Sequence, residues 1–192
     1  PILRALDFSK KVILVTAHRR ENLGQPLKNI CNALKAIVEN YKDTEIVYPV
    51  HMNPAVRDIV FSILGGHERI HLIDPVDVLE MHNLMDRCHL VLTDSGGLQE
   101  EAPSLGKPVL VLRGETERPE AIEFGTLKLA GTDKDNIYAM TSLLLEDRNE
   151  YDKMANAVNP YGDGFASERI GESILYHFGK IKERPEDFIP KQ

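Results

Sequence analysis

An open, doubly wound parallel β-sheet with helices on both faces is the fold this 192-residue sequence predicts, on three grounds. Apolar runs of strand length alternate with stretches of helical periodicity from end to end, as repeated β-α units require. Most of those runs are near-continuous instead of alternating in and out, as expected of strands covered on both faces. Helix-start and turn residues fall between them, at Pro26, Asn53-Pro54, Gly65-Gly66 and Asp94-Ser95-Gly96-Gly97.

Taken in order, the first strand covers residues 11–17. Leu27, Ile30, Cys31, Leu34, Ile37 and Val38 then repeat at helical spacing, with Pro26 suited to a first-turn position. A second strand at 45–50 leads to a helix opened by Asn53-Pro54 and closed after Leu64 by Gly65-Gly66. A third strand spans 69–73. Asp77 starts a helix carrying Val78, Leu79, Met81, His82, Leu84 and Met85 towards Cys88. The fourth strand, 89–93, runs into Asp94-Ser95-Gly96-Gly97 and a further helix. Strands at 108–112 and 127–129 and helices at 135–145 and 167–178 complete the pattern. Residues 180–192 are polar with two prolines and read as a tail beyond a single domain of 1–179.

If six strands take the common order, the first and fourth lie side by side where the chain reverses direction. Ligands of such sheets bind beyond the strand carboxyl ends at that switch point. The loops there are His18-Arg19-Arg20-Glu21-Asn22 and Asp94-Ser95-Gly96-Gly97, so the two most polar strand-end loops converge on one crevice.

Composition narrows the function. Apolar and charged fractions of 42% and 28% are those of an ordinary globular protein. A net charge of -7 with no basic stripe argues against nucleic acid as partner. No apolar stretch reaches membrane-spanning length, so no membrane partner is expected. Cys31 and Cys88 sit in apolar contexts, read as core packing, and suit a reducing cytoplasm.

At the start of a helix the first backbone N–H groups lack internal partners and the peptide dipoles leave partial positive charge. Ser95 beside Gly96 and Gly97 lets a phosphate approach those groups closely. The alternative is a capped tight turn and nothing more. One turn further in, Glu101 could accept hydrogen bonds from a sugar diol, or be a solvated helix charge. The loop is neither a Walker sequence nor a Gly-x-Gly-x-x-Gly dinucleotide loop. His18 can donate to phosphate or handle a proton near neutral pH, and Arg19 or Arg20 can grip phosphate or sit in a solvated loop. Arg118, in Thr116-Glu117-Arg118-Pro119-Glu120, could reach the same crevice or belong to a helix-start charge cluster. His51 ends the second strand, where a lone histidine more often bonds its own loop. His67-Glu68-Arg69-Ile70-His71 matches a zinc-protease pattern, but it continues as a strand, which separates the histidines by roughly 13 Å. No metal and no cofactor are expected.

Together these motifs resemble the C-terminal half of bacterial non-hydrolysing UDP-N-acetylglucosamine 2-epimerases. The resemblance is carried by Thr16-Ala17-His18-Arg19-Arg20-Glu21-Asn22, by Tyr48-Pro49-Val50-His51 and by the run from Leu92 through Ser95-Gly96-Gly97 and Glu101 to Leu110. Thr116-Glu117-Arg118-Pro119-Glu120-Ala121 completes it. It extends to about Gly179. It implies a Rossmann-like, six-stranded lobe of a two-domain glycosyltransferase-B type enzyme. It implies that UDP meets His18, the Ser95-Gly96-Gly97 turn, Glu101 and Arg118, with His18 the residue here closest to catalysis. Near Val76 and Met81 family members also contact the nucleotide. This chain lacks the polar and aromatic side chains sometimes found there, so backbone or apolar contact is expected. Arg19, Glu21 and His51 resemble residues of an allosteric substrate site between lobes.

The implied reaction interconverts UDP-GlcNAc and UDP-ManNAc by expelling UDP and adding it back. The carboxylates that remove the C2 proton belong to the N-terminal lobe. With only residues 1–9 before the first strand, this chain is expected to lack that lobe and to be inactive alone, the full-length enzyme being a homodimer. A stand-alone nucleotide-sugar binding module and half of a sugar transferase of the same architecture are the alternatives.

Overall fold

A computed structural model describes residues 2–190. Its strands are β1 (Lys11–Thr16), β2 (Thr44–Pro49), β3 (Ile70–Ile73), β4 (Leu90–Thr93), β5 (Val109–Val111) and β6 (Leu127–Leu129). All pair in parallel, in the order β3-β2-β1-β4-β5-β6. The expected doubly wound sheet is therefore present, with β1 beside β4 at its centre.

The helices are α1 (Ile2–Ala5), α2 (Gln25–Asn40), α3 (Pro54–Leu64), α4 (Val78–Arg87), α5 (Gly96–Ser104), α6 (Pro119–Glu123), α7 (Lys134–Glu146), α8 (Arg148–Ala155) and α9 (Ala166–His177). Successive side chains of a strand leave opposite faces. On β1, Ile13 and Val15 enter one apolar cluster with Ile30, Leu34, Ile37 and Val60 of α2 and α3, while Val12 and Leu14 enter another with Leu84 and Met85 of α4. That two-sided burial is why the strand sequences read as unbroken apolar runs. Cys31 and Cys88 are both buried free thiols, pushed up to about 12 by burial.

Four helices begin with a side-chain cap of the expected kind, at Asn53, Asp77, Asp133 and Asp147. Asp147 separates α7 from α8, which the sequence pattern leaves unassigned because Met154 is its one fully buried residue. The short helices α1 and α6 offer too few turns for a periodic signal. Residues 180–190 form neither helix nor strand, and the tail's last two residues lie outside the described ones.

At the opposite end of the sheet from the predicted crevice, His89 stacks on Tyr151, with ring centroids 4.3 Å apart, and its carbonyl accepts from the Tyr151 hydroxyl at 2.8 Å. Its Nε2 is buried without a hydrogen-bond partner among the described residues. Burial, then the charges of Lys11, Arg148 and Lys107, drives the imidazole down to about 4. A ring that titrates lower folded than unfolded stabilises the fold fully above the unfolded value near 6.5 and loses that contribution as pH falls towards 4. After discounting for its partial exposure, the loss is about 1–2 kcal/mol. Thermal unfolding between about pH 7 and pH 4 should therefore show the wild type losing roughly 2–6 °C more than His89→Phe.

Candidate functional site

The site begins where β1 and β4 part. Thr16 and Thr93 are in register, their hydroxyls 2.6 Å apart, and the Asp94 N–H donates to the Thr16 carbonyl at 3.1 Å. Beyond that bond the chains separate, one into His18-Arg19 and the other into α5. The separation is held by Asp94, whose side chain is completely buried. Its Oδ2 accepts from the His18 and Arg19 backbone N–H groups at 2.8 and 2.7 Å and from Asn22 Nδ2 at 2.9 Å. Asn22, itself buried in a one-turn helix (Arg20–Asn22), also donates to the Leu112 carbonyl at 3.1 Å, drawing in the loop after β5.

The start of α5 lies directly beyond this clasp. Ser95 occupies the N-cap position with extended backbone, yet its hydroxyl makes no capping bond, unlike the four side-chain caps above. Neither Gly96 nor Gly97 has positive φ, so no tight turn obliges the chain to use glycine there. A Cβ at Gly96 would face only the Nη2 atoms of Arg118 and Arg19, each 3.8 Å away, and at Gly97 only Glu101 Oε1 at 3.5 Å. The glycines thus leave the helix mouth open to approach, ringed by two guanidinium tips and one carboxylate. The expectation that these loops converge is met.

Each of those groups is held. Arg118 Nε donates to Glu100, and that hydrogen bond, despite opposing desolvation, raises the Arg118 pKa above its ordinary value. Arg19 Nε donates to the Asp94 carbonyl at 3.1 Å, and its Nη1 lies 3.6 Å from Glu117. Glu101 Oε2 meets His82 Nε2 of α4 at 3.0 Å, leaving Oε1 over Gly97. Buried Gln99 donates to the Ser95 carbonyl at 3.2 Å and accepts from Thr116 at 2.6 Å. Thr116 in turn accepts from the Arg118 N–H at 3.0 Å, which fixes the Arg118 loop against α5.

The other sequence candidates divide. His18 is half-exposed at the crevice, and His51 stacks on it with ring centroids 5.2 Å apart and planes 11° from parallel. Glu21 turns instead to Arg113, accepting from Nε at 2.6 Å. Burial works against that guanidinium, but Glu21 and Glu117 outweigh it and raise its pKa. Val76 and Met81 are half-buried and pack, with Leu98, on the apolar cluster of the α4 face; the neighbour of Met81, His82, is the one that touches Glu101.

Sequence reasoning missed the parts played by Asp94, Asn22, Gln99, Thr116 and His82. Asp94 was legible only as a possible cap, since burial of a carboxylate depends on three elements meeting. Among the described residues no group of histidine, cysteine and acidic side chains is arranged to hold a metal. A hollow of about 780 Å³ lies elsewhere, between α9 and residues 186–190, but in its lining Asp163, Glu168, Glu172, Glu186 and Asp187 outweigh Arg169.

The arrangement of open amides, guanidinium groups and a diol-accepting carboxylate suits a phosphorylated ribose. The chain matches the family model described as UDP-N-acetylglucosamine 2-epimerase over residues 2–175. It is 57% identical over 181 residues to the UDP-N-acetylglucosamine 2-epimerase of Bacillus subtilis, covering 94% of this chain and 48% of that one. The S. aureus MnaA-UDP co-structure superposes with a TM-score of 0.90 at 54% identity, covering 93% of this chain and 49% of that one. The Neisseria meningitidis UDP-GlcNAc 2-epimerase bound to UDP-GlcNAc gives 0.87 at 47%, covering 91% and 47%. The chain spans about half the length of the curated relatives it matches. No helix among the described residues is long and apolar enough to cross a membrane.

Replacing Asn22 by Ala removes one donor from the buried Asp94 carboxylate and one from Leu112. It should lower stability by about 2 kcal/mol, seen as a reduced urea midpoint at unchanged slope. A loss under about 0.5 kcal/mol would show that the clasp does not need its side-chain donor.

Proposed function

The chain belongs to the UDP-N-acetylglucosamine 2-epimerase family, and from that premise we propose that it is the UDP-holding lobe of such an enzyme, interconverting UDP-GlcNAc and UDP-ManNAc. One observation carries this reading: Arg118 Nη2, Arg19 Nη2 and Glu101 Oε1 converge on the two glycines that open α5. The diphosphate sits on the Gly96 and Gly97 amides beside the Ser95 hydroxyl, the Ser95 N–H being taken by the Thr93 hydroxyl at 2.9 Å, and there the helix dipole and Arg118 favour its charge. His18 approaches a phosphate from the β1 loop, and Glu101 accepts from the ribose hydroxyls. Val76 and Met81 supply apolar surface beside the nucleoside.

In the reaction, the bond from C1 to the UDP oxygen breaks, its electron pair leaving with UDP, as the C2 proton passes to a base. The resulting 2-acetamidoglucal is reprotonated at C2 on its opposite face, and UDP adds back to C1. This lobe stabilises the charge that builds on the departing diphosphate. It also keeps freed UDP in place so that re-addition outruns escape. The carboxylates for the C2 proton belong to a partner lobe on the N-terminal side.

The exposed apolar residues of α9 support such a partner. None of its residues is buried, and Ile170, Ile174, Leu175 and Tyr176 are exposed together, a concentration of apolar surface suited to being covered. We assign residues 1–179 to the lobe and 180–192 to its tail, the ring of Phe188 lying 5.5 Å from the Arg169 guanidinium of α9. The whole enzyme is proposed to be a cytoplasmic homodimer. For a second, regulatory substrate site the support is uneven. His51 stacks on His18 and Arg19 reaches the α5 mouth, whereas Glu21 is taken up by Arg113.

Calorimetric titration with UDP should show binding that weakens about ten- to a hundredfold in each of Ser95→Ala, Glu101→Ala and Arg118→Ala. Gly96→Ala should fold at least as stably as the wild type, because its φ suits alanine, yet bind UDP poorly. Full binding by Gly96→Ala would remove the phosphate from the helix mouth. With the partner lobe present, turnover in deuterated water should place deuterium at C2 of the product; sugar transfer without exchange would contradict epimerisation.

A further inference from the structure

Asp94 carries more than the loops. Its Oδ2 is saturated by three donors, but Oδ1, equally buried, has no hydrogen-bond partner among the described residues. An unpartnered carboxylate oxygen in a dry site is costly. The imidazole of His18 stands beside it, with Nδ1 3.7 Å away. Other donors nearby are engaged elsewhere, the Tyr48 hydroxyl on the Ala17 carbonyl at 2.5 Å. Arg19 spends its Nε on the Asp94 carbonyl, and Asn22 Nδ2 is divided between Oδ2 and Leu112. His51, stacked on the open face of His18, accepts from the Asn53 N–H through its own Nδ1 at 3.0 Å.

We infer that Asp94 is a positioning residue for His18, fixing its imidazole as the Nδ1–H form with Nε2 turned to the crevice. The two nitrogens lie on opposite edges of the ring, so a proton shared with Oδ1 at one edge leaves the other for the ligand. When Nε2 also holds a proton, the ring carries one positive charge, which the carboxylate behind it offsets, and Nε2–H donates to a phosphate oxygen. His51 holds the plane of the ring by stacking. No bond to the sugar is made or broken by this pair; it holds a proton at a fixed edge of the leaving diphosphate. The inference rests on the proposal that His18 meets UDP, but the tautomer itself does not.

Two measurements test it. Long-range 1H–15N spectra of the chain at mildly alkaline pH, assigned with His18→Asn, should show His18 protonated at Nδ1 and bare at Nε2. In Asp94→Asn, the amide oxygen takes over the loop donors and its NH2 faces the ring, so the proton should move to Nε2. Calorimetry with UDP should show Asp94→Asn weakening binding about tenfold in the wild-type background and hardly at all in His18→Ala. Equal losses in both backgrounds would reduce Asp94 to a loop clasp and overturn the inference. So would an Nε2–H form in the wild-type spectrum, which needs no variant to fold. Failure of the wild type to bind UDP would sink the functional reading instead, leaving the Nδ1–H result to decide the role of Asp94.

Discussion

A carboxylate sealed between two diverging strands sets the geometry of everything that faces the crevice. Moving an isolated charge out of water costs several kcal/mol unless hydrogen bonds replace the lost hydration. Asp94 meets that demand by collecting the N–H groups of His18 and Arg19 and the side chain of Asn22 on one oxygen. Its need for donors folds the β1 loop back over β4, places His18 and Arg19 beside α5 and, through Asn22, anchors the loop after β5. Loss of those bonds would free three segments at once.

An acidic chain can nonetheless hold a diphosphate because the charge that matters is local. The net charge is -7, yet the mouth of α5 gathers the helix dipole, two guanidinium tips and a half-exposed imidazole. The acidic residues nearby orient these cations, Glu100 on Arg118 and Glu117 on Arg19. Such pairs are exposed enough to be worth little in stability. Their use is to pre-position long side chains, so that less conformational freedom is lost when an anion arrives. His82 does the same for Glu101 from the neighbouring helix.

Much of the fold was legible because it follows from periodicity. Unbroken apolar runs and alternating elements lead to the sheet, its strand order and hence the crevice between the loops after β1 and β4. What stayed illegible depends on meetings between distant segments. Asp94 looked like a cap because its three donors come from elsewhere in the chain, 72 to 76 residues away. For Gly96 and Gly97 a tight turn is the less favoured reading, and their ordinary backbone angles distinguish an open mouth from a bend. Arg19 resembled a regulatory residue, and its reach to Gly96 appears only once the β1 loop is folded. The short α6 and the polar α8 lack the buried stripe that makes a helix visible in sequence.

The claim beneath all of this is that a diphosphate docks on the first amides of α5. Recording amide 1H–15N spectra of the chain as UDP is added tests it most directly. The account predicts the largest shifts at the Gly96 and Gly97 N–H groups, saturating together. Shifts centred elsewhere, with those two resonances unmoved at saturation, would contradict it.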